Sequence, residues 1–248
     1  MAGNIAERQE NKFIDEITSA IKLNGKSKSG ITLIGVNNIK INNVIQAKKQ
    51  NARTSSGNEN YTDVILTLNN NQKLNISMKG TSAASFGGGG LSGLEKIIPG
   101  IATKFLKQVY KKLKKSLKCG DKVPDQYGAI TEAQAKKIIK GNKAVGGPID
   151  YVYVGPMELK ADFDKAASTL TFNGSFFTPV AFAKEHPLFL RLRARREDQT
   201  FDPSAMDKNG TPKIYGTSCS RGDSAGRIVM TKSVPKNAEA FTIDLALK

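Results

Sequence analysis

Asp63 and Lys79 stand on opposite arms of one predicted hairpin, and few other residues in the chain could share chemistry with them. The sequence holds a single histidine, His186, and two cysteines, Cys119 and Cys219, that lack metal-ligand spacing. Ser–His, Cys–His and two-histidine mechanisms therefore have no evident engine here. A hydrolytic site in such a chain falls to carboxylates and a hard divalent ion, because hard cations prefer carboxylate oxygen.

The arms that must position this pair read Tyr61-Thr62-Asp63-Val64-Ile65-Leu66-Thr67-Leu68 and Gln72 through Lys79, around Asn69-Asn70-Asn71. Alternating apolar and polar residues on either side of an Asn-rich turn predict two antiparallel strands. Pairing position 63 with 77 leaves residues 69–71 as a turn of ordinary hairpin length. The same register sets Val64 against Ile76, Leu66 against Leu74 and Leu68 against Gln72. One face is then mostly apolar, while Asp63, Asn75, Ser77 and Lys79 share the other. A slip of one residue would mix the faces, so the pattern specifies the register.

An acid at the start of one strand and an x-x-Lys ending the next resembles the PD-(D/E)xK nuclease superfamily. The resemblance covers residues 4–80, in the order helix, strand, hairpin. It implies an α/β fold with a restriction-endonuclease-like core, a helix plus mixed sheet carrying a catalytic hairpin. It further implies a divalent-metal-dependent DNA endonuclease that hydrolyses phosphodiester bonds with Mg²⁺ or Mn²⁺. In that family the aspartate and a second acid hold the ion, and the lysine positions or activates the attacking water. This chain departs from the pattern in two places. Thr62 replaces the usual proline, and Ser77 replaces the second acid with a neutral, weaker ligand.

The N-terminus offers an acid in its place. Over 6–21 the spacing predicts a helix with Phe13, Ile14, Ile17, Ala20 and Ile21 on one stripe. Glu10 stands three and four residues before Phe13 and Ile14, so it extends that stripe by one turn. Glu7 lies at its margin and Glu16 points away. The resemblance thus assigns Glu10 and Asp63 to the metal and Lys79 to the developing charge. Ser77 is left to support the site through a water or a weak contact. Taken singly, each residue also has a plain structural role: Asp63 ending a turn, Lys79 a solvated strand end, Glu10 complementing the helix dipole. Family members often pair into two-fold dimers, so a homodimer is an expectation of the resemblance.

Lysine and arginine outnumber the acids 38 to 22, a net charge of +16. Such an excess favours a polyanionic partner, DNA above all, through phosphate contacts and counterion release. A ribosomal partner or a generally basic composition would give the same sum. No apolar run is long enough for a membrane span, and Met1-Ala2-Gly3-Asn4 leads directly into a polar helix, so no secretory signal is expected. Sparse cysteines suggest free thiols in a reducing, cytoplasmic setting.

The charge is concentrated. A helix is predicted from about 101 to 118, with Ile101, Phe105, Val109, Leu113 and Leu117 along its apolar stripe. Its other sides carry Lys104, Lys107, Lys111, Lys112, Lys114, Lys115 and Lys118, without one acid. Ordinary helices interleave signs, so a phosphate-facing helix is favoured over a merely solvated one. The Gly- and Ser-rich stretch 81–93 before it reads as a loop, either a lid over DNA or a plain linker.

The first domain is expected to cover 1–120, including this helix. Residues 121–248 form a β-rich half that either completes the same domain or recognises nucleic acid. A capping box at Thr131-Glu132-Ala133-Gln134 opens a helix that ends at Gly141. Strands are predicted at 149–156, 168–173, 175–182, 188–195, 212–216, 226–231 and 239–246. Arg191, Arg193 and Arg195 alternate with Leu190, Leu192 and Ala194, and Arg196 follows. Arginine suits bidentate phosphate or guanine contact. Pairing with Glu197, Asp198, Asp202 and Asp223 is the competing account. Asp150 with Glu158 and Lys160 forms a second candidate site, and Arg221-Gly222-Asp223 is taken as a chance tripeptide. A non-catalytic nucleic-acid-binding or assembly protein is the alternative function.

Overall fold

The computed structural model describes residues 5–25, 29–51, 53–55, 60–81, 85–86, 90–216 and 226–245, without the side chains of Ile5, Ser85 and Phe86. In chain order the elements begin with α1 (Ile5–Asn24), β1 (Ile31–Ile34), β2 (Lys40–Lys49), β3 (Val64–Leu68) and β4 (Lys73–Gly80). There follow β5 (Ser85–Phe86), α2 (Gly90–Ile97), α3 (Ile101–Leu113), β6 (Gln126–Ala129) and α4 (Glu132–Lys140). Next come β7 (Tyr151–Gly155), β8 (Ala161–Asp164), β9 (Thr169–Phe172), β10 (Ser175–Phe177) and α5 (Pro179–Glu185). The chain ends with β11 (Phe189–Arg193), β12 (Thr200–Phe201), β13 (Tyr215–Gly216), β14 (Arg227–Thr231) and β15 (Ala240–Thr242).

The protein is a mixed α/β chain in two compact units. One unit joins Met1–Ala83 to Ile139–Glu185, and the other joins Ala84–Ile138 to His186–Lys248. The boundary expected at 120 is therefore corrected. Its cause is a strand pairing distant in sequence: β7 lies parallel to β4, Ile76 opposite Tyr151 and Lys79 opposite Val154. Residues 151–177 thereby complete the sheet that the N-terminal strands begin. The basic helix belongs to the other unit.

The first unit is an eight-stranded sheet in the order β10-β7-β4-β3-β2-β1-β9-β8. Its β3–β4 hairpin has the register read from the sequence, Val64 opposite Ile76 and Leu66 opposite Leu74. Leu68 N–H donates to the Gln72 carbonyl at 2.8 Å. Asn71 closes the turn at φ 67°, a left-handed conformation that asparagine tolerates well. α1 lays Phe13, Ile17 and Ala20 into the core with Leu74, Ile76 and Met78. Phe13 stacks on Phe172 at 4.7 Å and lies 5.2 Å from Tyr153. Gly155 is required beside that cluster, since a Cβ there would fall 2.5 Å from the Tyr153 hydroxyl.

The second unit holds a five-stranded sheet, β15-β6-β11-β14-β5, and the short β12–β13 pair. α3 buries Ile101, Phe105, Val109 and Leu113, the predicted stripe. It ends at Leu113 rather than 118, where Lys111, Lys114, Lys115 and Lys118 would repel at helical spacing. Its N-terminus is capped by a carboxylate from α2: Glu95 accepts from the Gly100 and Thr103 amides. Residues 90–93 are therefore the first turn of α2 and not loop, while 82–84 and 87–89 lie outside the described residues.

The capping box at α4 is present, with Thr131 N–H on the Gln134 side chain at 2.7 Å and Gln134 N–H on the Thr131 hydroxyl at 3.2 Å. The strand expected over 175–182 stops at Phe177 and α5 follows. Thr178 caps it by accepting from Ala181 N–H at 3.2 Å, and Pro179 opens the helix where its missing N–H costs nothing. Cys119 is in a disulfide rather than free, which removes the ground for a reducing compartment; Cys219 and 221–223 lie outside the described residues. Among the described residues no helix is long and apolar enough to cross a membrane.

Candidate active site

Four chain segments of the first unit end at the same place. Lys49 closes β2 and lies opposite Val64 in the antiparallel ladder, so the chain ahead of β3 runs alongside the chain leaving β2. Gln50 N–H donates to the Asp63 carbonyl at 2.9 Å. The last residues of strand β4 bring Ser77, Met78 and Lys79 to Asp63 from the other side. α1 supplies its N-terminal turns, and they are anchored by a residue the sequence did not flag. Gln9 is 3 % exposed and donates to the carbonyls of Gly155 and Pro156, at 3.1 and 2.8 Å. That anchor fixes the phase of the neighbouring Glu10.

The result is a cleft of about 410 Å³ lined by Glu7, Glu10, Lys49, Asp63, Met78 and Lys79, among others. One Asp63 carboxylate oxygen accepts from the Met78 amide and, at 3.2 Å, from the Ser77 hydroxyl. The same oxygen lies 3.6 Å from Lys79 Nζ. Ser77 is buried and its hydroxyl is committed to Asp63. It thus helps to orient the Asp63 carboxylate. Thr62 has a definite use as well: its hydroxyl donates to the Gly146 carbonyl at 2.6 Å and ties the entry of β3 to a neighbouring turn.

Glu10 is largely buried, and Lys49 Nζ lies 3.3 Å from it and 2.9 Å from Glu7. Burial raises the Glu10 pKa above the ordinary carboxylate range. The negative charge of Asp63 raises it further, against the pull of Lys49 and Lys79. Two carboxylates are thus held within electrostatic reach of each other in one cleft. A cation placed between them would relieve that repulsion. Among the described residues no group of three or more His, Cys, Asp or Glu is placed to hold a metal. The carboxylates that could serve an ion in this cleft are Glu10 and Asp63; an ion held by only one or two carboxylates completes its shell with water and substrate phosphate, as Mg²⁺ does.

The structure brings together Glu10, Asp63, Ser77 and Lys79, all named from the sequence. It adds Lys49 and Gln9, which the sequence reading missed. Lys49 shares a strand face with the buried Ala47, a pattern that could have exposed it, but its proximity to the site follows only from the β2–β3 register. The second candidate site does not assemble. Asp150 sits before β7 and accepts from the Asn75 amide at 2.7 Å, a sheet contact, whereas Glu158 and Lys160 are exposed beyond the other end of that strand.

In the second unit Lys111, Lys112, Lys114 and Lys115 are exposed, and Lys104 and Lys107 are half-buried. Among the described residues none of these six forms an ion pair; Lys104 reaches the Leu245 carbonyl and Lys114 lies 5.3 Å from the Tyr110 ring centre. The arginines divide. Arg191 is bound by Asp125, its Nε at 2.8 Å, so it is a strut of the sheet and no free phosphate ligand. Arg193 has its Nε buried. Arg195 and Arg196 are exposed beyond β11, Arg196 pairing loosely with Asp198 at 3.3 Å. No protein family, curated protein or solved structure matches the chain.

Proposed function

We propose that the first unit is the catalytic unit of a divalent-metal-dependent DNA endonuclease with a restriction-endonuclease-like core. The observation that carries this reading is the convergence of Glu10, Asp63 and Lys79, from three separate elements, on one cleft. Hydrolysis adds water across one P–O bond of the backbone. Glu10 and Asp63 would hold Mg²⁺ or Mn²⁺, which when bound neutralises phosphate charge and acidifies a water. The chain's own groups do the rest. The Met78 amide and the Ser77 hydroxyl fix the Asp63 carboxylate in one rotamer. Lys79 orients the attacking water and stabilises charge that builds on the phosphate oxygens. The lysines of α3, with Arg195 and Arg196, supply cations for the DNA backbone. A two-fold dimer belongs to the same reading.

Cleavage of end-labelled linear and branched duplexes with Mg²⁺ or Mn²⁺ tests it, comparing the native chain with Asp63→Ala and Lys79→Ala. Cutting that is lost in both variants and abolished by chelation supports the reading. A second reading, a DNA-binding protein without catalysis, is favoured by one observation: Ser77 spends its hydroxyl on Asp63 where an acid would face an ion. Native protein that retards DNA and never cuts it would establish that alternative.

A further inference from the structure

Lys49 is a further charged group in the cleft, and the roles proposed above leave it unused. Its ammonium lies 2.9 Å from Glu7, 3.3 Å from Glu10 and 3.3 Å from the Asn11 side-chain oxygen. Glu10 is therefore paired with a positive charge. The two partners differ in freedom. The Glu10 side chain is 18 % exposed on a helix anchored through Gln9, whereas Lys49 is 37 % exposed on a four-carbon stem. A divalent ion at Glu10 would repel the ammonium at close range, and the lysine is the group able to leave. Glu7, 52 % exposed, lies on its outward side.

We propose that Lys49 is a tethered competitor of the divalent ion for Glu10. It holds that carboxylate while the cleft is ion-free, and it turns to a phosphate of the bound DNA when the ion takes Glu10. The proposal rests on the nuclease reading of the cleft and adds a regulation to it. Ion binding frees a cation for DNA, and DNA draws away the cation that opposes the ion. The two ligands thus strengthen each other, and by linkage each does so equally. A lysine that merely braced the fold would give no such coupling.

The test is Mn²⁺ binding to the full chain, read from the electron paramagnetic resonance of free Mn²⁺, with and without a duplex made uncleavable by phosphorothioate linkages. Lys49→Gln is expected to bind Mn²⁺ about fivefold more tightly than the native chain without DNA, the scale of losing one partly exposed ion pair. It is also expected to lose the tightening that DNA confers on the native chain. Lys49→Arg keeps the charge and should behave as native. Circular dichroism of each variant checks that the fold is retained. Mn²⁺ binding in Lys49→Gln that is equal to native or weaker overturns the proposal. When native protein binds Mn²⁺ and Asp63→Asn does not, that outcome in Lys49→Gln overturns the Lys49 proposal alone and leaves the nuclease reading standing. Native protein that binds no Mn²⁺, with or without DNA, overturns both it and the nuclease reading.

Discussion

The two units of this protein use charge in opposite ways. In the first, Glu10 and Asp63 face Lys49 and Lys79 across a part-buried cleft, and every one of the four has an ionic partner. In the second, α3 carries its lysines on exposed and half-buried positions without an ion pair among the described residues. Bringing opposed charges out of water is costly, and Glu10 records that cost in its raised pKa. Such a cluster persists where the arrangement itself is useful. A row of unpaired lysines costs little at the surface, where it keeps the chain soluble and can meet an external polyanion. In the proposed reading, chemistry and affinity therefore fall to different units.

The largest expected effect comes from breaking the chemical side of this division. Lys79→Met and Asp63→Asn should each lower single-turnover cleavage by at least about 100-fold, the usual loss on removing a group that stabilises transition-state charge. DNA retention on gels should persist. Retention lost in parallel with cutting would instead merge the two roles.

Charge reversal on the other unit is the complementary break. Lys111→Glu, Lys112→Glu and Lys115→Glu together should weaken DNA binding steeply. The slope of log affinity against log salt should flatten by roughly 2 to 3 if each lysine neutralises one phosphate. Cleavage within the bound complex should stay near native. A flat response would mark α3 as a solvated surface and nothing more.

A smaller effect separates structural from free arginines. Arg191→Ala should destabilise by about 1–2 kcal/mol in chemical denaturation, because it leaves Asp125 unpaired in a half-buried setting. Arg196→Ala, whose partner is exposed, should fall within roughly 0.5 kcal/mol of native and should instead reduce DNA affinity.

The smallest is a pH signature. Folding holds the Glu10 proton more tightly than the unfolded chain does, so the folded state binds more protons between the ordinary glutamate value and the raised one. Stability linked to Glu10 is present in full below about pH 4.5 and is lost as pH rises through the folded value. Glu10→Gln should therefore raise the melting temperature at pH 7 to 8, and the gain should vanish below pH 4.5. No gain at neutral pH would contradict the account of a strained carboxylate.

Local features were legible in the sequence. The β3–β4 register followed from alternation and a turn of fixed length, and the α1 stripe from its 3.6-residue period. The capping box at Thr131 and Gln134 was readable as a motif. Each is decided by residues close in the chain. What failed depends on distant pairing. The unit boundary is set by β4 lying beside β7, and Lys49 reaches Glu10 only because β2 pairs with β3. The identity of Gln9 as an anchor depends on carbonyls at Gly155 and Pro156. The strand expected over 175–182 failed for a local reason: Thr178 and Pro179 form a helix start, and the apolar run around them masked it. The acids weighed from the sequence as partners of the β11 arginines are Glu197, Asp198, Asp202 and Asp223; Asp125, the partner of Arg191, was missed because it lies on no segment that alternation could align with β11.

The central claim is that Glu10 and Asp63 act as one site. Single-turnover DNA cleavage in Mg²⁺ by the native chain, Glu10→Gln, Asp63→Asn and the double variant tests it most directly. Groups that serve one ion are expected to be non-additive, so each single change should cost nearly as much as both together. Losses that multiply, cutting that survives both changes, or native protein that does not cut would contradict the account.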